Sequence, residues 1–211
     1  MLFRSGVLSL QHATASGTTA GGVSVASGAA VELQGGITVG AEAITLNGSG
    51  VSSGGALRNV SGANSWAGAL TLGSAVRINS DSGTLTLSGG TTGAGNTLTI
   101  GGAGNVTFTT AAISGTGTTL TKDGGGTLTL GVANTFTGAA NLNGGTTAIS
   151  AIGQLGSGTA INFDGGTLQM LSAVDISART VTVNAGGATI DTGANSVTMA
   201  NGFNGSGALK K

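Results

Sequence analysis

The chain of 211 residues predicts an all-β fold, a right-handed parallel β-helix (β-solenoid) built from coils of about 21 residues. Three observations predict it. Short segments alternate an aliphatic residue with threonine. Glycine doublets recur at a nearly constant spacing. The chain is also poor in charge, with seven acidic and seven basic residues, and has no proline, cysteine or tyrosine.

The alternating segments come first. Ile37-Thr38-Val39, Thr84 to Leu87, Thr97 to Ile100, Val106 to Thr109, Thr127 to Leu130 and Val181 to Val183 each have period two. That period puts aliphatic side chains on one face of a strand and threonines on the other, as a half-buried strand requires. Threonine suits the outer face, because its branched carbon fits a pleated surface while its hydroxyl meets water. No window of a dozen residues carries helical spacing of good helix formers.

The doublets supply the corners. They begin at Gly35, Gly54, Gly89, Gly101, Gly124, Gly144, Gly165 and Gly186, and the last four follow one another at 20, 21 and 21 residues. A period in the low twenties marks a stacked solenoid, whose corners need the positive φ angles that glycine adopts freely. The earlier doublets, 19, 35, 12 and 23 residues apart, break the period. Ten coils at the usual ~4.8 Å spacing predict a rod about 45–50 Å long. No coil buries its apolar residues alone, so stability sums over neighbours, and unpaired coil ends predict end-to-end self-association.

Composition excludes several classes. A fifth of the chain is glycine, but without the three-residue period or the proline of collagen. The 39% apolar content, in β-branched alternating runs, argues against a disordered linker. No apolar run approaches the ~20 residues of a membrane helix. A net charge of zero offers no basic footprint, so no nucleic-acid partner is expected. The run Gly6 to Leu10 before Ala13-Thr14-Ala15 is too short for the apolar core of a signal peptide. The expectation is a start inside a longer protein.

The segment Leu120-Thr121-Lys122-Asp123-Gly124-Gly125-Gly126-Thr127-Leu128-Thr129-Leu130, continued by Ala133-Asn134-Thr135-Phe136-Thr137-Gly138, resembles the autotransporter-associated β-strand repeat, with phenylalanine where tyrosine is common. Asn143 to Thr146 and Asp164 to Gln169 resemble return strands of the same unit, and Gly205 to Lys210 the opening of another. Upstream, Gly54 to Gly62, Asn64 to Gly68 and Arg77 to Gly83 also resemble segments of such proteins. The resemblance implies one β-helical region over 1–211: an ill-defined start at 1–16, irregular coils at 17–119 and regular repeats at 120–211. It further implies a passenger at the bacterial surface or outside the cell, a C-terminal translocator barrel elsewhere in the polypeptide, and a role as non-catalytic stalk. The alternative is an adhesin contacting surface glycans or proteins, and the third reading a carbohydrate-active enzyme fragment.

No catalytic, cofactor-binding or metal-binding residue is predicted. Gly50-Val51-Ser52-Ser53-Gly54 matches the G-x-S-x-G elbow of esterases, but the only histidine, His12, lies upstream, in the wrong order for that family. Gly101 to Val106 begins like a calcium-binding nonapeptide and lacks its aspartate. Glu32, Glu42, Asp81, Asp123, Asp164, Asp175 and Asp191 are scattered about one per coil. Asp123, Asp164 and Asp191 read as caps of local backbone, and registered stacking would put Asp123 and Asp164 on one edge, two coils apart. Trp66 reads as a half-buried corner anchor. Sequons at Asn47, Asn59, Asn105 and Asn204 read as products of composition. The T-x-T copies at 84, 97, 107 and 127 are too unevenly spaced for an ice-matching lattice.

Overall fold

The computed structural model describes residues 1–17 and 20–211. It is a parallel β-solenoid of about nine turns with about 22 residues per turn. The described residues form 26 short strands and two single turns of 3-10 helix, Val51–Ser53 and Ile152–Leu155. Every strand pairing is parallel and joins one turn to the next.

Each turn visits three faces. The first carries Val23–Val25, Ile44–Gly48, the start of Leu70–Ser80, Thr91–Thr92 and Ile113–Ser114. The second carries Gly6–Leu10, Ala29–Gln34, Leu57–Ser61, the end of Leu70–Ser80, Thr97–Gly101, Thr119–Lys122, Ala140–Leu142, Ala160–Phe163, Thr180–Val183 and Phe203–Gly205. The third is a nine-stranded sheet from Thr38–Val39 to Leu209–Lys210. Leu70–Ser80 runs unbroken round a corner: its start pairs with Thr91–Thr92 and its end with Thr97–Gly101. One strand thereby fuses the first two faces into a single sheet of 15 strands.

One insertion lengthens a turn. The first face steps from Ile44 directly to Leu70, because the loop at 49–55, with its 3-10 turn, adds residues without adding a strand. The register slips on both sides of it, between Leu33 and Gln34 and between Leu46 and Gly48.

The same three faces explain the broken glycine period. The doublets at 35, 101, 124, 144, 165 and 186 all lie at the corner between the second and third faces, whereas the one at 54 ends the insertion and the one at 89 sits at the next corner. At the second–third corner Gly62, Gly83, Gly104, Gly126, Gly145 and Gly166 stack turn upon turn. A β-carbon on Gly83 would lie 2.3 Å from the Gly62 carbonyl oxygen, and one on Gly126 1.9 Å from that of Gly104. At Gly83 and Gly126 the corner is therefore too tight for a side chain.

The core is one continuous column of inward aliphatic residues, such as Leu85, Val106 and Leu128, widened by Phe108, Phe136 and Phe163. Trp66 is completely buried, more so than its expected corner position implied, and its Nε1 donates to the Glu42 carbonyl oxygen at 2.8 Å. The buried indole N–H thus has the partner that burial demands.

Candidate functional site

The ion pairs lie on the second face and at its end, and they join different turns. Arg58 bridges two carboxylates on either side of it, Glu32 at 2.8 Å and Asp81 at 2.5 Å. The hydrogen bond to Asp81 chiefly holds the guanidinium above its ordinary pKa, against partial desolvation, with Glu32 adding to it. Asn79 donates to Asp81 at 2.6 Å and accepts from Arg77. Arg77 forms a two-pronged pair with Asp123, at 2.7 and 2.9 Å. Since Arg77 stands two turns from Asp123, its guanidinium crosses the intervening turn over Gly101, where a β-carbon would lie 2.0 Å from Nη2. Asp123 is therefore a strand-face ion-pair partner and not the local cap that its turn position suggested.

Lys122 is the group that sequence reasoning missed. Its register partners are Ile100 and Leu142, both inward, and it is only 2% exposed. The Nζ reaches the glycine corner and donates to the carbonyls of Asp123, Gly124 and Gly144 at 2.6, 3.1 and 3.3 Å, tying two turns together. Burial pushes the ammonium down to about 8; Asp123 opposes the shift and Arg77 adds to it. The signal was present in the sequence: in Leu120-Thr121-Lys122 the alternation assigns lysine to the inward side. Arg179 plays a similar part, donating to the carbonyls of Ile152 at 3.1 Å and Gly156 at 2.6 Å, and burial lowers its pKa.

Buried amides complete the set. Asn64 accepts from the Ile37 N–H and donates to Asn59, which in turn donates to Ser80 Oγ and the Ser82 carbonyl. Asn134 accepts from Ile113 N–H at 2.7 Å and donates to the Gln154 carbonyl. Lys122, Asn134 and Phe136, all within the segment Leu120 to Gly138, are thus buried. Their chemistry here is the satisfaction of corner backbone and core.

The remaining candidates fall in separate places. Ser52 and Ser53 hold positive φ angles of 49° and 59° in the insertion. Ser53 Oγ lies 3.4 Å from Ser49 Oγ, while the ring nitrogen of His12 pairs with Thr14. No base therefore stands beside Ser52 among the described residues. Asp164 accepts from the Gly186 N–H of the next turn, so it caps a neighbouring turn rather than its own. Asp191 does cap locally, at Gly193, and also accepts from Gln169. Asp175 accepts from Ser177 N–H, and hydrogen bonding to Ser177 lowers its pKa. Asn59 is completely buried, which closes that sequon in the folded chain. At the second–third corner, Asp123, Asn143, Asp164 and Asn184 follow one another turn by turn.

The T-x-T copies separate by face. Thr97 lies on the second face, while Thr84, Thr86, Thr107, Thr127 and Thr129 stack on the third in consecutive turns. The uneven spacing in sequence came in part from mixing two faces and in part from Asn105, which stands opposite Thr84 where a threonine would continue the file. On the third face the two outward files are interrupted by Asn105, Ala148 and Gln169.

Three open depressions, of about 390, 260 and 280 Å³, have no carboxylate in their linings. Among the described residues no three of His, Asp or Glu gather as a metal-binding group. In comparisons with known proteins the sequence matches no family model, no curated protein and no solved structure.

Proposed function

We propose that this chain is a non-catalytic stalk, a segment of the passenger of a bacterial autotransporter that holds other regions away from the cell surface. The observation that carries the reading is the use of its charged side chains. Arg58, Arg77 and Arg179 spend donors on other turns, and Lys122 spends its donors on its own turn and the next. Such bonds stiffen a rod along its axis and leave few groups to act on a ligand. The resemblance of Leu120 to Gly138 to the autotransporter repeat supports the finer assignment. Among the described residues the large exposed apolar residues sit in the first turn (Met1, Leu2, Val7), at Leu171 and in the last strand (Leu209), and do not run as a strip along a face of the kind an adhesin would present.

Brief protease treatment of intact cells that make the protein tests the proposal. Peptides from this chain are expected in the released fraction while cytoplasmic markers stay inside. Release only after lysis would overturn the surface assignment. Hydrolysis of a polysaccharide by the purified protein, abolished by substituting a surface carboxylate, would overturn the non-catalytic one.

A further inference from the structure

Four asparagines precede glycine: Asn47, Asn143, Asn201 and Asn204. An Asn–Gly pair is chemically labile because the glycine nitrogen, unhindered by a β-carbon, can attack the asparagine side chain. The fold treats the four pairs differently. Asn47 Nδ2 donates to the Val25 carbonyl at 2.9 Å, and the Gly48 N–H donates to Ser74 Oγ at 2.9 Å, so both reacting groups are engaged. Asn201 is tethered through its Nδ2 to the Ser177 carbonyl at 2.6 Å. Asn204 lies within the paired strand Phe203–Gly205, in register with Thr182. The ladder, which pairs Asn204 with Thr182 and Gly205 with Val183, fixes the backbone on both sides of the bond.

Asn143 has none of these restraints, whereas Asn201, likewise exposed and outside any strand, keeps its single tether to Ser177. Asn143 lies outside any strand, at the exposed second–third corner. Among the described residues its side-chain amide makes no hydrogen bond and the Gly144 N–H has no acceptor. A β-carbon on Gly144 would come no closer than 3.4 Å to Gly124, and its φ is not positive, so the corner has room for the local movement that ring closure requires.

We propose that Asn143–Gly144 is the site at which the folded protein is spontaneously modified, converting to aspartate and isoaspartate. The Gly144 nitrogen forms a bond to Asn143 Cγ. The bond between Cγ and Nδ2 breaks, and the amide nitrogen leaves as ammonia, carrying the proton lost by the glycine nitrogen. Water then opens the cyclic imide at either carbonyl. Opening at the backbone carbonyl of residue 143 leaves an isoaspartyl link, with one extra methylene in the backbone, and opening at the Cγ carbonyl yields aspartate. Either product adds a carboxylate between Asp123 and Asp164, one turn, or about 4.8 Å, from each. The corner then carries three acids in consecutive turns.

Peptide mapping by mass spectrometry tests this on the intact protein aged at neutral to mildly alkaline pH. Conversion at Asn143 is expected to exceed that at Asn47 by at least about tenfold, the factor that two protecting hydrogen bonds imply. In denaturant the four sites are expected to converge, because the ranking comes from the fold. Gly144→Ala, which the corner accommodates, is expected to suppress conversion at 143 and leave the other sites unchanged. Faster conversion at Asn47, Asn201 or Asn204 in the folded protein would overturn the assignment, as would the same ranking in denaturant.

Discussion

Lys122 makes the stability of the fold rise with alkaline pH, and the size of the rise follows from its position. The folded ammonium is pushed down to about 8 from an ordinary value of 10.5. Between those values the unfolded chain holds a proton that the folded one has released. Stability therefore increases as pH rises through this window, by about 1.4 kcal/mol per pH unit at full effect and by about 3 kcal/mol in all. Below pH 8 both states carry the charge and the slope vanishes; above about 10.5 neither does. The window is unusually clean, since the protein has no tyrosine or cysteine and only three lysines. Chemical denaturation at pH 7.5, 9 and 10.5 measures the slope, and Lys122→Met isolates it, because that variant keeps every other titrating group. A flat or falling stability across the window, or an equal rise in Lys122→Met, would refute the argument.

Two further substitutions probe the stacking. Gly126→Ala places a β-carbon 1.9 Å from the Gly104 carbonyl. It is expected to cost about 3 kcal/mol in denaturant unfolding, toward the upper end of ordinary single-residue effects; a neutral result would mean that the corner column is looser than described. Thr147 points into the core between Leu128 and Leu168 with an unpartnered, fully buried hydroxyl. Thr147→Val is therefore expected to stabilise the fold by about 1–2 kcal/mol, and destabilisation would show that the hydroxyl has a partner.

The strands were legible because their cause is local. Thr84 to Leu87 and Thr127 to Leu130 carry their own inward and outward faces, whatever they stack upon. The glycine corner was legible for the same reason: Gly124, Gly144, Gly165 and Gly186 recur once per turn. What did not show is which corner or face each signal belonged to. Gly54 and Gly89 looked like lapses in one period, when they mark the insertion and a second corner, and Thr97 looked like an ill-placed member of a row on another face. Long-range partners were hidden altogether. Nothing near Arg77 points to Asp123, and the pair exists only once the strand Thr97–Gly101 sets the register between them, with the side-chain-free Gly101 beneath it. Lys122 lay between these cases, since parity put it inside while charge suggested the surface.

Parallel stacking one turn at a time is the claim on which all of this rests, and a disulfide test reads it directly. The native protein has no cysteine. Thr86 and Thr107 are outward register partners in adjacent turns. Their Cα atoms should stand ~4.8 Å apart, inside the ~4.4–6.8 Å range of a disulfide. Thr129 lies one further turn on, about 9.6 Å from Thr86 and beyond that reach. Mild oxidation is predicted to close the 86–107 cysteine pair within one molecule and to leave the 86–129 pair open. Closure of 86–129, or failure of 86–107 in a folded protein, would contradict the solenoid.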